Sequence, residues 1–259
     1  MTTALERRFS LTGKVALVSG AGQGIGRGIA LCLAEAGAAV AVQDLEGAAA
    51  RRVADEIRAL GGSAAASAGD MTRPETIDGF LDTAQRELGR PDILVNNAGI
   101  YPFSSFLEIP LEEWDRVLAL NLRSAFLATQ KAGRIMADGG RGGRIVNVAS
   151  IQALRPSGPG VAAYNMSKAG VVMLTKSAAL ELAAFGIGVN AVAPGIVATP
   201  GTKTIIDTNQ LGDPKDLVPL GGRWATTDDV ADAVLYLVSP AGAYVTGETI
   251  VIDGGYLLK

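Results

Sequence analysis

KVALVSGAGQGIG, residues 14–26, reads as an apolar strand that breaks into a glycine-rich turn and then a helix. Lys14–Ser19 is a run of strand length without helical period, as expected of a strand covered on both faces. Gly20 permits a tight turn. Gly24 lets a backbone approach a bound group closely, and Gly26 lets a helix pack hard against a strand. Gly22, Gln23 and Ile25 complete the motif. A helix that opens here presents unpaired N–H groups and a positive dipole end, which together suit a phosphate. Glycine runs also occur in plain loops, so the surrounding chain has to decide.

Moving outward, strand-length apolar runs alternate with stretches of helical period almost to the end of the chain. Ala39–Gln43, Ser63–Ala68, Asp92–Val95, Arg144–Ala149, Ile187–Ala193 and Thr249–Ile252 read as further strands. Helical stretches fall at Gly47–Leu60, Pro74–Leu88, Leu111–Ala137, Ala163–Ala184 and Asp228–Val238. Such alternation with short connections predicts an α/β fold: a Rossmann-type doubly wound parallel sheet of about seven strands, with helices on both faces. No linker or composition shift divides the chain, so one domain over residues 1–259 is expected. The one long irregular stretch, 199–222, has the length of a functional loop or lid.

Composition narrows the chemistry. The chain has no histidine and one cysteine, Cys32, so neither a His/Cys metal site nor a histidine-based triad can be built, and no metal is expected. A single cysteine gives no internal disulfide and fits a reducing, cytoplasmic setting. Met1–Lys14 lacks the apolar core of a signal peptide, and no apolar run approaches the ~20 residues that span a bilayer. The net charge of −3, without a basic stripe, argues against a nucleic-acid partner.

Two positions give the glycine motif a context. Asp44 follows the second strand, where a carboxylate can accept hydrogen bonds from ribose hydroxyls and would repel a 2′-phosphate. No Lys or Arg follows it immediately, which favours NAD over NADP. Tyr164 and Lys168 stand four residues apart at the start of a helical stretch and so share one face. A nearby ammonium is expected to stabilise a phenolate and lower the phenol pKa from ~10. In a chain without histidine, some other residue has to move the proton. Ser150, at the end of the fifth strand, offers a hydroxyl to a substrate oxygen, and Asn121 lies within the long helical stretch before it.

These pieces, taken in order, resemble the short-chain dehydrogenase/reductase family in its short single-domain branch, over nearly the whole chain. The resemblance rests on residues 20–26, Asp70, Asn96-Asn97-Ala98-Gly99, Asn121, Ser150, Tyr164-Asn165-Met166-Ser167-Lys168, Pro194-Gly195, Thr199 and Asp253-Gly254-Gly255. It implies that Asp70 and Met71 flank an adenine, and that Asn97 and Gly99 line the cofactor groove. Pro194 and Gly195 would continue that groove, with Val197 and Thr199 meeting the nicotinamide carboxamide. It further implies Tyr164 as general acid/base, Ser150 orienting the substrate oxygen, Lys168 holding the nicotinamide ribose and tuning Tyr164, and Asn121 supporting a water-mediated proton relay.

Three departures stand out: Ser19 in place of the usual Thr, an interval from Ser150 to Tyr164 about one residue longer than usual, and Leu220-Gly221-Gly222-Arg223-Trp224 beside the presumed lid.

The expected reaction interconverts a secondary alcohol and a ketone with NAD(H). Tyr101, Pro102, Phe103 and Gln152, with Ser150, Tyr164 and the 199–222 loop, would line the substrate side and suggest a moderately apolar small molecule. Two rivals are weighed. One is an NADPH-dependent β-ketoacyl thioester reductase, which Asp44 opposes. The other is a non-catalytic NAD(H) sensor, which has no need of a phenol beside an ammonium. Leu111–Ala137 and Ala163–Ala184 carry more apolar residues than one sheet face needs. With the resemblance, they imply a homo-oligomer, a tetramer or dimer.

Overall fold

The structure, a computed structural model, describes residues 3–208 and 211–259. Residues 209 and 210 of the expected 199–222 loop, and Met1 and Thr2 of the opening segment, lie outside the described residues.

The strands are β1 Val15–Val18, β2 Ala39–Asp44, β3 Ala64–Ala68, β4 Ile93–Asn96, β5 Gly143–Val148, β6 Ile187–Pro194 and β7 Thr249–Ile252. They form one parallel sheet in the order β3-β2-β1-β4-β5-β6-β7. β1 and β4 are buried at every position, which is why their sequences run apolar without alternation. The expected α/β class and strand number are borne out.

The helices are α1 Ala4–Phe9, α2 Gly24–Glu35, α3 Gly47–Ala59, α4 Pro74–Glu87, α5 Leu111–Leu118, α6 Ser124–Asp138, α7 Ala162–Leu182, α8 Lys203–Asp207, α9 Pro214–Leu217 and α10 Thr227–Val238. Side-chain alternation along the strands feeds two cores. Ala16 and Val18 join Ile29 and Leu33 of α2, Val53 and Ile57 of α3, and Val234 and Leu237 of α10. Val15 and Leu17 join Ile77 and Phe80 of α4, Met136 of α6 and Ala179 of α7 on the other face. The chain winds outward from β1 to β3 and then returns to place β4 on the other side of β1. This reversal opens a crevice beyond the carboxyl ends of β1 and β4, the general ligand position in doubly wound sheets.

Two expectations need correction. The helical stretch expected at Leu111–Ala137 is interrupted: residues Ala119–Arg123 form a π-helical turn between α5 and α6, closed by the Ser124 N–H on the Ala119 carbonyl. The wider ring inserts one extra residue into the helix, a device often found at functional sites. The 199–222 stretch is less irregular than its composition suggests. It contains α8 and α9, and Asp213 caps α9 by accepting from Lys215 N.

Candidate active site

A cleft of about 720 Å³ runs across the crevice from Asp44 and Asp70 at one end to Tyr101, Ser150 and Tyr164 at the other. The glycine turn forms its floor. Gly20 has a left-handed φ of +60°, which any side chain would strain. At Gly26 a Cβ would meet the Gly20 carbonyl and lie 2.5 Å from Asn97 Nδ2, so no larger residue lets α2 seat here. The Gln23 N-cap makes no side-chain bond, which leaves the first-turn N–H groups of α2 turned toward the cleft. A glycine cradle, a free helix N-terminus and a carboxylate at its far edge fit a dinucleotide.

At that edge, Asp44 accepts from Gly22 N at 2.8 Å and from Glu46 N at 3.1 Å. The carboxylate therefore both faces the cleft and pins the glycine turn. Gln43 is nearly inaccessible; it accepts from Gly20 N at 3.3 Å and donates to the Gly69 carbonyl at 2.8 Å, tying β1, β2 and β3 at their carboxyl ends. Nearby cations are engaged elsewhere. Arg27 pairs with Glu56 at 2.6 Å, and Arg52 donates to the Gly22 carbonyl at 3.0 Å. Asp70 and Met71 line the same end; Asp70 accepts from Thr72 N, and Met71 is rooted in the core.

In the middle of the cleft, Asn97 donates from Nδ2 to the Ser19 and Gly20 carbonyls at 3.0 and 2.8 Å. Ser19 Oγ in turn accepts from the N–H groups of Asn97 and Ala98, so the serine hydroxyl stitches β1 to β4. Gly99, Pro194, Gly195, Val197 and Thr199 all line the cleft. The Thr199 methyl group lies 3.5 Å from where a Gly24 Cβ would stand, so it faces the glycine turn across the groove.

At the chemical end, α7 carries Tyr164 and Lys168 one turn apart. The Lys168 Nζ lies 5.7 Å from the Tyr164 ring centre and donates to the Val148 carbonyl at 2.6 Å. Ser150, at the end of β5, places its side chain beside the Tyr164 hydroxyl, where it favours the phenolate. Burial pushes the Tyr164 phenol above its ordinary pKa, the neighbouring Ser150 hydroxyl acts the other way, and Tyr101 adds a smaller rise. This corrects the expected lowering by Lys168: here desolvation of the phenolate outweighs any help from the ammonium. Burial also brings Lys168 down to about 8.

Asn121 does not line the cleft. The π-helical turn holds it 2% exposed behind the wall, where Oδ1 accepts from Ile100 N and Nδ2 donates to the Ile100 carbonyl, both at 2.9 Å. Nδ2 also donates to Ser167 Oγ at 3.0 Å, and Ser167 Oγ donates to the Tyr164 carbonyl at 2.7 Å. Both N–H protons of the amide, and one acceptor site of its oxygen, are thus spent on the backbone of Ile100 and the Ser167 hydroxyl of α7. The side chain braces the loop that carries Tyr101.

Gln152 lines the cleft but spends its amide on Ser157, donating to Oγ at 2.6 Å and accepting from N at 3.0 Å. This closes the long Ser150–Tyr164 interval without displacing Ser150. Tyr256, near the C-terminus, also lines the cleft and was not expected there. Arg155 holds that terminal segment, donating to the Leu257 and Lys259 carbonyls at 3.0 and 2.9 Å, a tertiary contact with no sequence signature. Gln43 did carry a signal, as a polar residue inside an otherwise apolar strand. Among the described residues, no group of three His, Cys, Asp or Glu side chains is placed to hold a metal ion.

Residues 20–257 match the family described as enoyl-(acyl carrier protein) reductase. A cyclopentanol dehydrogenase of Comamonas sp. is 41% identical, over 94% of this chain and 96% of its own. A candidate NAD(P)-dependent gluconate 5-dehydrogenase from Beutenbergia cavernae, solved with NADP at low occupancy, superposes with a TM-score of 0.90 at 40% identity, covering 97% of this chain and 100% of that one. The 3-ketoacyl-(acyl-carrier-protein) reductase of Brucella melitensis, solved with NADH, gives 0.88 at 39% identity, covering 95% and 99%. The likeness covers nearly the whole chain: this chain is an oxidoreductase of the short-chain dehydrogenase/reductase family, built for a nicotinamide cofactor.

Proposed function

We propose that the chain interconverts a secondary alcohol and a ketone with NAD(H), using Tyr164 as the proton-transfer group. The observation that carries this reading is the placing of Tyr164 beside Ser150 and above the buried Lys168, at the end of a cleft that begins at the glycine turn.

The dinucleotide would lie between the glycine turn and Thr199, with its adenosine ribose at Asp44, its adenine beside Asp70 and Met71, and its nicotinamide toward Lys168. When bound, the nicotinamide supplies or accepts the hydride. Ser150 and Tyr164 orient the substrate oxygen between them. In reduction, Tyr164 donates its proton to the oxygen as negative charge develops there; its raised pKa keeps it protonated for this step. In oxidation the phenolate takes the hydroxyl proton, and the Lys168 charge offsets the cost of that anion. Asn121 acts as a positioning residue by fixing Ile100 and the start of α7. Asp44 favours NAD by placing negative charge where a 2′-phosphate would lie. Residues 199–222 act as the lid, with Thr199 on the groove side.

Exposed apolar side chains on the α5–α7 side, among them Leu111, Phe126, Met173 and Leu180, support a homo-oligomer.

The test is the appearance of NADH absorbance when the chain meets NAD⁺ and a panel of secondary alcohols, with NADP⁺ and Tyr164→Phe alongside. Turnover that requires NAD⁺ and Tyr164 supports the reading. Equal turnover by Tyr164→Phe refutes it, and a strong preference for NADPH with a β-ketoacyl thioester would favour that alternative.

A further inference from the structure

We propose that the substrate end of the cleft selects a neutral ring ketone, or its alcohol, with a single polar oxygen, and discriminates against carboxylates and polyols. This rests on the reading that Tyr164 and Ser150 hold the reacting oxygen.

The first observation is charge. Among the described residues that line the cleft, the charged side chains are Asp44 and Asp70 at the nucleotide end, and Lys168 beneath Tyr164. The cations nearest the substrate end are committed elsewhere: Arg155 to the carbonyls of the C-terminal segment and Lys203 to Asp207 at 2.7 Å. An anionic group on the substrate would lose its hydration here and, apart from Lys168 beneath Tyr164, meet no positive partner among the described residues that line the cleft.

The second is the state of the polar lining. Gln152 and Ser157 are joined by two hydrogen bonds. Thr202 Oγ1 donates to the Val197 carbonyl at 2.6 Å and lies 3.1 Å from Thr199 Oγ1. What converges on one point is the Ser150–Tyr164 pair. Among the described residues, each additional substrate hydroxyl therefore has to share a group already engaged in these bonds, or the Tyr101 hydroxyl, at a cost that grows with the number of hydroxyls on a polyol.

The third is shape. Tyr101 stands edge-on to Tyr164, 6.1 Å between centres at 68°, and edge-on to Phe103, 6.5 Å at 84°. The Tyr101 hydroxyl is directed at the lid, where a Cβ on Gly201 would lie 2.9 Å from it. Ile151, Pro159, Leu211 and Tyr256 complete a largely apolar enclosure that suits a compact ring.

The experiment measures binding and turnover separately on the full chain. Cyclohexanone, 2-decalone, D-fructose and levulinate are titrated into the NADH complex and followed by NADH fluorescence, with NADH consumption read in parallel. The better-bound cyclic ketone is expected to bind at least about 30-fold more tightly than fructose or levulinate. Phe103→Arg is expected to improve levulinate binding about tenfold and leave NADH affinity within about twofold, since Phe103 is largely exposed. Levulinate or fructose binding as tightly as the cyclic ketones, or no binding of either cyclic ketone, overturns the proposal. Selective binding of a cyclic ketone without Tyr164-dependent NADH consumption would uphold this substrate class and instead sink the catalytic reading.

Discussion

Lys168 keeps its ammonium 5.7 Å from the centre of the Tyr164 ring while giving a hydrogen bond to the Val148 carbonyl. A buried ammonium with that one hydrogen bond to protein holds its proton weakly, and its pKa falls to about 8. The folded chain thus releases this proton earlier than the unfolded chain, whose lysines titrate near ~10.4. Between those values the unfolded state binds more protons, so the stability contributed by this group rises with pH. Relative to Lys168→Met, the cofactor-free wild type should gain on the order of 3 kcal/mol from about pH 7.5 to about pH 10.5. Urea unfolding at the two pH values measures it; a flat difference would mean that the ammonium stays hydrated.

Tyr164→Phe removes the hydroxyl that stands beside Ser150 and keeps the ring that stacks edge-on with Tyr101. Turnover should fall by roughly 10²–10⁴-fold, the usual scale of a lost general acid/base. NADH affinity, read by fluorescence titration, should stay within about twofold of wild type. A parallel loss of affinity would instead make Tyr164 part of the binding surface.

Asp44→Ala deletes two charge-assisted hydrogen bonds to the backbone, at Gly22 and Glu46, together with the negative charge at the cleft edge. Removal of one such charged partner is worth about 1.5–3 kcal/mol. The ratio of kcat/KM for NADP⁺ over NAD⁺ should rise roughly 10- to 100-fold. An unchanged ratio would assign Asp44 solely to holding the glycine turn.

Asn121→Leu leaves the Ile100 N–H and carbonyl without the partners they have now. A loss of roughly 2–4 kcal/mol is expected in urea unfolding, since each buried orphan costs about 1–3 kcal/mol. Turnover should drop with it, because Ile100 directly precedes Tyr101. A stable variant with full activity would show that the loop carries its own geometry.

The parts of the fold that repeat were legible in the sequence. Apolar runs such as Val15–Val18 and Ile93–Asn96 announced strands because both faces are covered, and the glycine turn announced where a helix begins at a strand end. The four-residue spacing of Tyr164 and Lys168 gave their shared face before any coordinates. What stayed hidden depends on tertiary placement. The π-helical turn at Ala119–Arg123 has no periodic signature, and without it Asn121 reads as an ordinary helix residue. The balance at Tyr164 was misjudged because spacing reports the neighbouring charge and says nothing about how deeply the phenol sits. Tyr256 enters the cleft on a terminal segment tied down by Arg155, a hundred residues earlier, and by Asp253, contacts that no local pattern announces.

A buried run of polar contacts joins Asn96 to Asn147, register partners on β4 and β5. Asn96 Nδ2 donates to Asn147 Oδ1 at 2.8 Å and to Thr129 Oγ1 of α6 at 3.0 Å; Asn147 Nδ2 donates to Thr175 Oγ1 of α7 at 2.9 Å. A slip of either strand by one residue would turn an amide to the wrong face and leave its partners stranded. The two strands and two helices must therefore separate together or not at all. In deuterated buffer, the amides of β4 and β5 should be the last to exchange, at a rate set by complete unfolding.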